Sequence, residues 1–149
     1  MVKTKKENTR KSTAGDEFEI DFCAKHNAHR MPVGFEGYDA VLADGTTVEL
    51  KSFRGNHPSV GGPKLIATER NVRTIVTAYM ALADYLVIEH HDRTEQWLTK
   101  AEAIEHLMLH VALTSESHKR SGGKRKLRLM KTPRTPSATA KLLAAGFTL

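Results

Sequence analysis

The 149-residue sequence has a single cysteine and no long run of apolar residues. Cys23 therefore has no partner for an internal disulfide and no cysteine neighbour for a zinc cluster, so we expect a small buried apolar side chain. No stretch approaches the roughly 18 apolar residues of a membrane-spanning helix, and the first residues lack the apolar segment of a signal peptide. These absences lead us to expect a cytoplasmic protein that does not associate with membranes.

Acidic residues are scarce in two segments of the chain. Residues 1–11 hold five basic residues and one acid, and residues 118–135 hold eight basic residues and no acid. Because the whole chain has a net charge of +6, the remainder is acidic overall. We predict a basic flexible arm at residues 1–14 and one domain at residues 15–149 that includes the basic segment. Lys and Arg in such segments either promote solubility or bind a polyanion such as DNA.

Hydrophobic periodicity and turn residues predict a mixed α/β domain. The hydrophobic content of 40% is ordinary for a protein with a buried core. The predicted order is α, β, β, α, β, β, α, with a further short strand before the last helix. The predicted elements are a helix at 16–30, a hairpin at 38–42 and 46–53, a helix at 64–83, strands at 85–89 and 95–98, a helix from 99 to about 110, a strand at 125–130 and a last helix at 137–146.

The hairpin between residues 38 and 53 has two possible registers. A two-residue turn ending at Gly45 would place Asp39 and Glu49 on opposite faces. A three-residue loop ending at Gly45, with this glycine in the left-handed conformation, would place them directly opposite each other on one face. We predict the second register because only this one makes the other face uniformly apolar. That apolar face consists of Ala40, Leu42, Val48 and Leu50.

The polar face of this hairpin then carries Asp39, Glu49 and Lys51. Opposed carboxylates repel each other unless a positive charge lies between them. Oxygen ligands from Asp39, Glu49 and the carbonyl of Leu50 suit Mg²⁺, and Mn²⁺ is a possible substitute. Lys51 is then placed to orient or deprotonate a water for attack on phosphorus, which is metal-assisted phosphodiester hydrolysis. The alternative is an exposed Glu–Lys pair on a strand face, which contributes little to stability.

The same residues resemble a known family of nucleases. Asp39, followed ten residues later by the Glu-x-Lys of Glu49 and Lys51, is similar to the active-site motif of the PD-(D/E)XK nuclease superfamily. Residues 34–52 also resemble the corresponding segment of small homodimeric type II restriction endonucleases, although Tyr38 stands where the motif has proline. The resemblance implies a restriction-endonuclease-like fold, in which a mixed β-sheet is flanked by α-helices, together with Mg²⁺ dependence and cleavage that leaves a 5′-phosphate.

A helix acid completes the metal site in several members of that superfamily. Glu19 is our candidate for a further catalytic residue, in preference to Glu17, because Phe18 and Phe22 mark the core stripe beside it. The alternative is that these acids only stabilise the helix start through its dipole.

Several further residues are candidates for DNA contacts. In the loop after the catalytic strand, Arg54 is suited to a phosphate, and Asn56 and His57 are suited to base edges. A plain connecting loop and a solvated helix face are the alternatives. The remaining candidates are basic residues of the second predicted helix and of the basic segment, namely Lys64, Arg70, Arg73, Lys124, Arg125, Lys126 and Arg128.

These observations together predict a Mg²⁺-dependent endodeoxyribonuclease that acts on double-stranded or branched DNA as a homodimer. A site-specific enzyme like the type II restriction endonucleases is the first expectation. Within the same fold, a Holliday-junction resolvase or a homing-type nuclease is an alternative. A catalytically idle DNA-binding protein is the alternative from a different class.

Overall fold

The structure of the protein is a computed structural model, which describes residues 13–55, 57–61, 63–117 and 125–149, with the backbone alone at 63, 64, 67, 115–117 and 125. Part of the predicted functional set therefore lies outside the described residues. This part comprises residues 1–12 of the predicted arm, Asn56 and Lys124, and the side chains of Lys64 and Arg125.

Within the described residues the chain forms five helices and eight strands, and the predicted mixed α/β class is confirmed. The helices are α1 (Ala14–His26), α2 (Pro63–Thr68), α3 (Val72–Met80), α4 (Lys100–His110) and α5 (Pro136–Ala144). The strands are β1 (His29–Arg30), β2 (Ala40–Val41), β3 (Thr47–Ser52), β4 (Ser59–Val60), β5 (Tyr85–Glu89), β6 (Glu95–Thr99), β7 (Val111–Ser117) and β8 (Arg125–Leu129).

The larger sheet has the strand order β1-β2-β3-β5-β6. Strands β3 and β5 are parallel, and the other neighbours are antiparallel. Helix α1 covers one face, where Phe18 and Phe22 pack against Val48 and Leu50 of β3. The opposite face contributes to a larger core with α3 and α4. The side chains that alternate with Val48 and Leu50 therefore point toward the α3 side of the sheet.

A second, three-stranded antiparallel sheet has the order β4-β8-β7. Leu127 and Leu129 of β8 are fully buried in the larger core, whereas Lys126 and Arg128 alternate with them and remain partly exposed. The predicted short strand with one basic face is therefore confirmed.

Three predicted boundaries were wrong for local reasons. The helix predicted at 64–83 is two helices, because the Asn71 side chain accepts the Thr74 N–H at 3.0 Å and begins α3 anew. The first helix stops at His26, since Asn27 takes a left-handed conformation with φ of 52°. Residues 111–117, which lie outside every predicted element, form β7 and pair with β8. No helix among the described residues combines the length and apolar character needed to cross a membrane.

Candidate active site

The hairpin between β2 and β3 adopts the predicted three-residue loop. Ala40 pairs with Val48 and Val41 with Thr47, so the register places residue 39 opposite residue 49. Gly45 has a φ of +90°, a conformation that costs a glycine little, and its N–H donates to the Leu42 carbonyl at 2.9 Å. The local turn chemistry thus brings the two acids face to face.

Asp39 and Glu49 form a closely coupled carboxyl pair. The Leu50 N–H donates to Asp39 Oδ2 at 2.8 Å, which holds this carboxylate against β3. Glu49 is only 8% exposed. Burial raises the pKa of Glu49 well above its ordinary value, and the charge of Asp39 and a hydrogen bond with it raise this pKa further, against a smaller lowering by Lys51. Without a cation, the pair therefore retains a proton on Glu49 at neutral pH.

Tyr79 of α3 completes this arrangement on the face of the sheet to which Glu49 points. Its hydroxyl donates to Glu49 Oε1 at 3.0 Å. Burial first, and then the charges of Glu49 and Asp39, raise the pKa of Tyr79, so its hydroxyl stays protonated. Lys51 Nζ lies 5.2 Å from the centroid of the Tyr79 ring, a cation–π distance. One tyrosine therefore contacts both an acid and the lysine of the predicted motif.

Tyr79 lies in the helix predicted at 64–83 and is not among the predicted site residues. A buried tyrosine usually finds a hydrogen-bond partner for its hydroxyl, and this is the signal that the sequence offers. The partner itself depends on how α3 packs on β3.

The carboxyl pair lies between two openings. A cleft of about 590 Å³ is lined by residues from α1, the end of β3 and the following loop, including Glu19, Asp39, Leu50, Lys51 and His57. A second cleft of about 380 Å³ reaches Asp39, Glu49 and Tyr79 from the α3 side. Asp39 borders both clefts. The larger cleft has room for a phosphate group and waters beside Lys51.

Glu19 lines the larger cleft, as the resemblance implied, but its charge is partly compensated. Arg30 Nε donates to Glu19 Oε1 at 3.0 Å, and another nitrogen of Arg30 donates to Asp16 at 2.7 Å. Burial and the charge of Asp39 raise the pKa of Glu19, while Arg30 lowers it. Glu19 can approach a cation bound at Asp39 only by sharing its carboxylate with Arg30.

The donor set at this site suits a hard divalent cation. Asp39 and Glu49 supply carboxylate oxygens, and the carbonyl of Leu50 is the third candidate ligand. Among the residues that the structure describes, no group of three or more His, Cys, Asp and Glu side chains is arranged to hold a metal. A cation here would therefore keep several coordination positions for water or phosphate oxygens, as Mg²⁺ prefers.

Arg54 makes a different set of contacts from those expected of a DNA-binding residue. Its guanidinium donates to the two carboxylate oxygens of Glu89 at 2.7 and 2.9 Å, and to Asp21 at 2.6 Å. Glu89 also accepts the Ser52 hydroxyl at 2.7 Å. These bonds tie the end of β3 to α1 and β5, so Arg54 has little capacity left for a phosphate.

The other described candidates occupy separate positions. Arg70 lies over the Phe147 ring at 4.7 Å, and Arg73 pairs with Glu105 at 2.8 Å. His57 lines the larger cleft. Lys126 and Arg128 lie on the outer face of the smaller sheet.

Comparison with known proteins identified no relative. No family model matches the sequence, and no curated protein matches it significantly. The function therefore has to be inferred from the chemistry of the site.

Proposed function

We propose that the protein is a Mg²⁺-dependent DNA endonuclease with a restriction-endonuclease-like fold. The observation that supports this most strongly is the burial of Glu49 two residues before Lys51 and directly beside Asp39, which borders both clefts. A surface Glu–Lys pair would leave the glutamate hydrated. A carboxylate that is desolvated next to a second carboxylate is destabilised, and such perturbed groups concentrate at functional sites.

The residues of the site have distinct roles in this proposal. Asp39, Glu49 and the Leu50 carbonyl would hold the Mg²⁺ ion, which when bound supplies positive charge to the phosphate and acidifies a water. Lys51 lines the larger cleft together with Asp39, where its ammonium would orient the attacking water. Tyr79 fixes Glu49 through the hydrogen bond to Oε1, and its ring confines Lys51. Tyr79 thus acts as a positioning residue.

The arrangement of the larger sheet is compatible with the proposed fold. The site lies on β2 and β3, and helices pack on both faces of the sheet. One active site of this kind cuts one strand, so double-strand cleavage requires two copies. We therefore propose a homodimer acting on double-stranded or branched DNA.

The test is Mg²⁺-dependent cleavage that requires Lys51. Plasmid, linear duplex and four-way-junction DNA are incubated with the protein in Mg²⁺, Mn²⁺ or EDTA. Lys51→Ala, Asp39→Asn and Glu49→Gln are compared with Lys25→Ala, whose side chain is 65% exposed and outside the cleft. We expect cleavage by the wild type and the Lys25 variant only, with at least a 10²-fold loss in the three site variants.

The outcomes separate the alternatives. Discrete plasmid fragments support a site-specific endonuclease, and cuts confined to the junction support a resolvase. DNA binding without cleavage of any substrate would overturn the catalytic proposal in favour of a DNA-binding protein. A second readout is independent of turnover: Mg²⁺ should raise the melting temperature of the wild type and not that of Asp39→Asn, because a ligand that binds the native state stabilises it.

A further inference from the structure

Arg128 is partly exposed, but one nitrogen of its guanidinium is buried and unsatisfied. Its Nε is buried and has no hydrogen-bond partner, and its side chain makes no ion pair with any described residue. Buried polar atoms without partners are rare, and a cation without a counter-charge is costly. An anion bound from outside the chain would satisfy both requirements.

Two further basic side chains lie close to Arg128. Arg128 pairs with Ser59 of β4, two residues after His57. Burial first, and then the positive charges of Arg128 and Lys131, lower the pKa of His57. Lys131 Nζ lies 5.8 Å from the Phe53 ring centroid, and the His57 ring meets the same phenyl ring edge-on at 5.9 Å. We call His57, Arg128 and Lys131 the basic cluster.

The basic cluster is connected to the candidate active site. Phe53, on which two of its members pack, directly follows β3 and is two residues from Lys51. His57 lines the same cleft as Lys51 and Asp39. His57 therefore connects the basic cluster to the cleft at Lys51.

On its other side, Arg128 borders a cleft that contains no acid. This cleft has a volume of about 450 Å³ and lies between the outer face of the smaller sheet and the start of α5. Its polar lining is cationic or hydroxylic, and consists of Thr114, Arg128, Thr135, Ser137 and Lys141. Such a lining disfavours cations and suits an oxyanion.

We propose that the basic cluster binds a backbone phosphate of the DNA strand that runs through the cleft, next to the phosphate at Lys51. A phosphodiester fits because the planar fork of arginine donates two parallel hydrogen bonds to phosphate oxygens. His57 in its neutral form adds a donor without adding to the repulsion between Arg128 and Lys131. This inference rests on the proposed function, because it takes the DNA strand bound by the basic cluster to be the strand that the active site would cut.

The experiment measures the salt dependence of DNA binding in EDTA, where cleavage does not occur. The fluorescence anisotropy of a labelled short duplex is titrated with wild type, Arg128→Gln, Lys131→Gln, Arg128→Lys and the control Arg93→Gln. Arg93 is 61% exposed and does not line either cleft of the cluster. Circular dichroism and melting temperature check that each variant folds, and Lys131→Gln keeps the test valid if Arg128→Gln does not.

We expect Arg128→Gln and Lys131→Gln each to weaken binding several-fold. The slope of log K against log salt should fall by about 0.9 for each lost contact with duplex DNA. Arg128→Lys should bind more weakly than wild type despite its equal charge, since the fork is lost. Affinity and slope equal to wild type in both Gln variants would overturn the inference.

Two more outcomes separate this inference from the proposed function. Binding that depends on Arg128, in a protein that cuts no DNA, would support the cluster and count against the nuclease. Cleavage and binding that are unchanged in Arg128→Gln would overturn the cluster and leave the nuclease intact. A further test adds inorganic phosphate to the protein. Stabilisation of wild type and not of Arg128→Gln by millimolar phosphate, with DNA binding unaffected, would overturn the backbone assignment in favour of a free-phosphate site.

Discussion

Replacing Glu49 by glutamine should stabilise the metal-free protein, although it removes a residue of the proposed active site. The pKa of Glu49 is raised from 4.5 to about 9 by burial and by Asp39. Between these two values the folded protein holds a proton that the unfolded chain releases. The free energy of unfolding of the wild type therefore falls as the pH rises through this window.

The size of the effect follows from the pKa difference. A pH of 7 lies roughly 2.5 units above the pKa of glutamate in the unfolded chain, and each unit corresponds to about 1.4 kcal/mol of stability. The wild type thus loses at most about 3.5 kcal/mol of stability to Glu49 at this pH. Glutamine has no charge to desolvate. Its amide N–H can donate to Asp39, and its oxygen can still accept the Tyr79 hydroxyl that binds Glu49.

Urea unfolding in EDTA at pH 4.5, 6 and 7.5 measures this prediction. We expect Glu49→Gln to gain about 2 to 3 kcal/mol at pH 7.5 and almost nothing at pH 4.5, which is the ordinary pKa of the glutamate in the unfolded chain. Glu36→Gln is the matched control, because Glu36 is exposed and should show no such gain. A Glu49→Gln variant that is no more stable than wild type at pH 7.5, or equally stabilised at all three pH values, would refute the reasoning.

Three further predictions concern single side chains. Tyr79→Phe should leave the fold intact and weaken Mg²⁺ binding by roughly 10-fold or more, since Glu49 loses its hydrogen bond; an unchanged affinity in a Mg²⁺ titration of melting temperature would contradict this role. Arg54→Met should destabilise the protein by about 3 kcal/mol in urea unfolding, because buried Glu89 loses its two short bonds to Arg54 and keeps only the exposed Arg93 at 3.5 Å. A loss confined to DNA binding would argue instead for a phosphate contact. Burial, with neighbouring histidines, lowers the pKa of His106 to about 4, so stability should fall as the pH drops from 6.5 to 4. His106→Gln should reduce that fall by about 1 kcal/mol, and an unaltered pH profile would exclude this contribution.

Local rules were sufficient to predict the hairpin and the helix that begins at Thr99. The three-residue loop follows from the glycine conformation and the alternation of apolar residues, both of which act within a few residues. The predicted capping box is present as well, with the Thr99 N–H donating to Glu102 at 2.9 Å. The break between α2 and α3 was missed, because the capping of α3 by Asn71 competes with a continuous apolar stripe.

Contacts between distant residues decided the rest of the site. Glu49 and Tyr79 are 30 residues apart, and Arg54 and Glu89 are 35 residues apart. No periodicity distinguishes a tyrosine that reaches an active-site acid from one that only fills the core, or an arginine free for phosphate from one held in a buried ion pair. The sequence by itself determined the mixed α/β class, the register that opposes Asp39 and Glu49, and the basic face of β8. The packing of α3 on β3 decided that Glu49 is buried beneath Tyr79. The placement of β8 beside β4 decided that Arg128 has no counter-charge among the described residues. Both depend on which surfaces exclude water once the whole chain has folded, and the pKa and pairing of each charge follow from that exclusion.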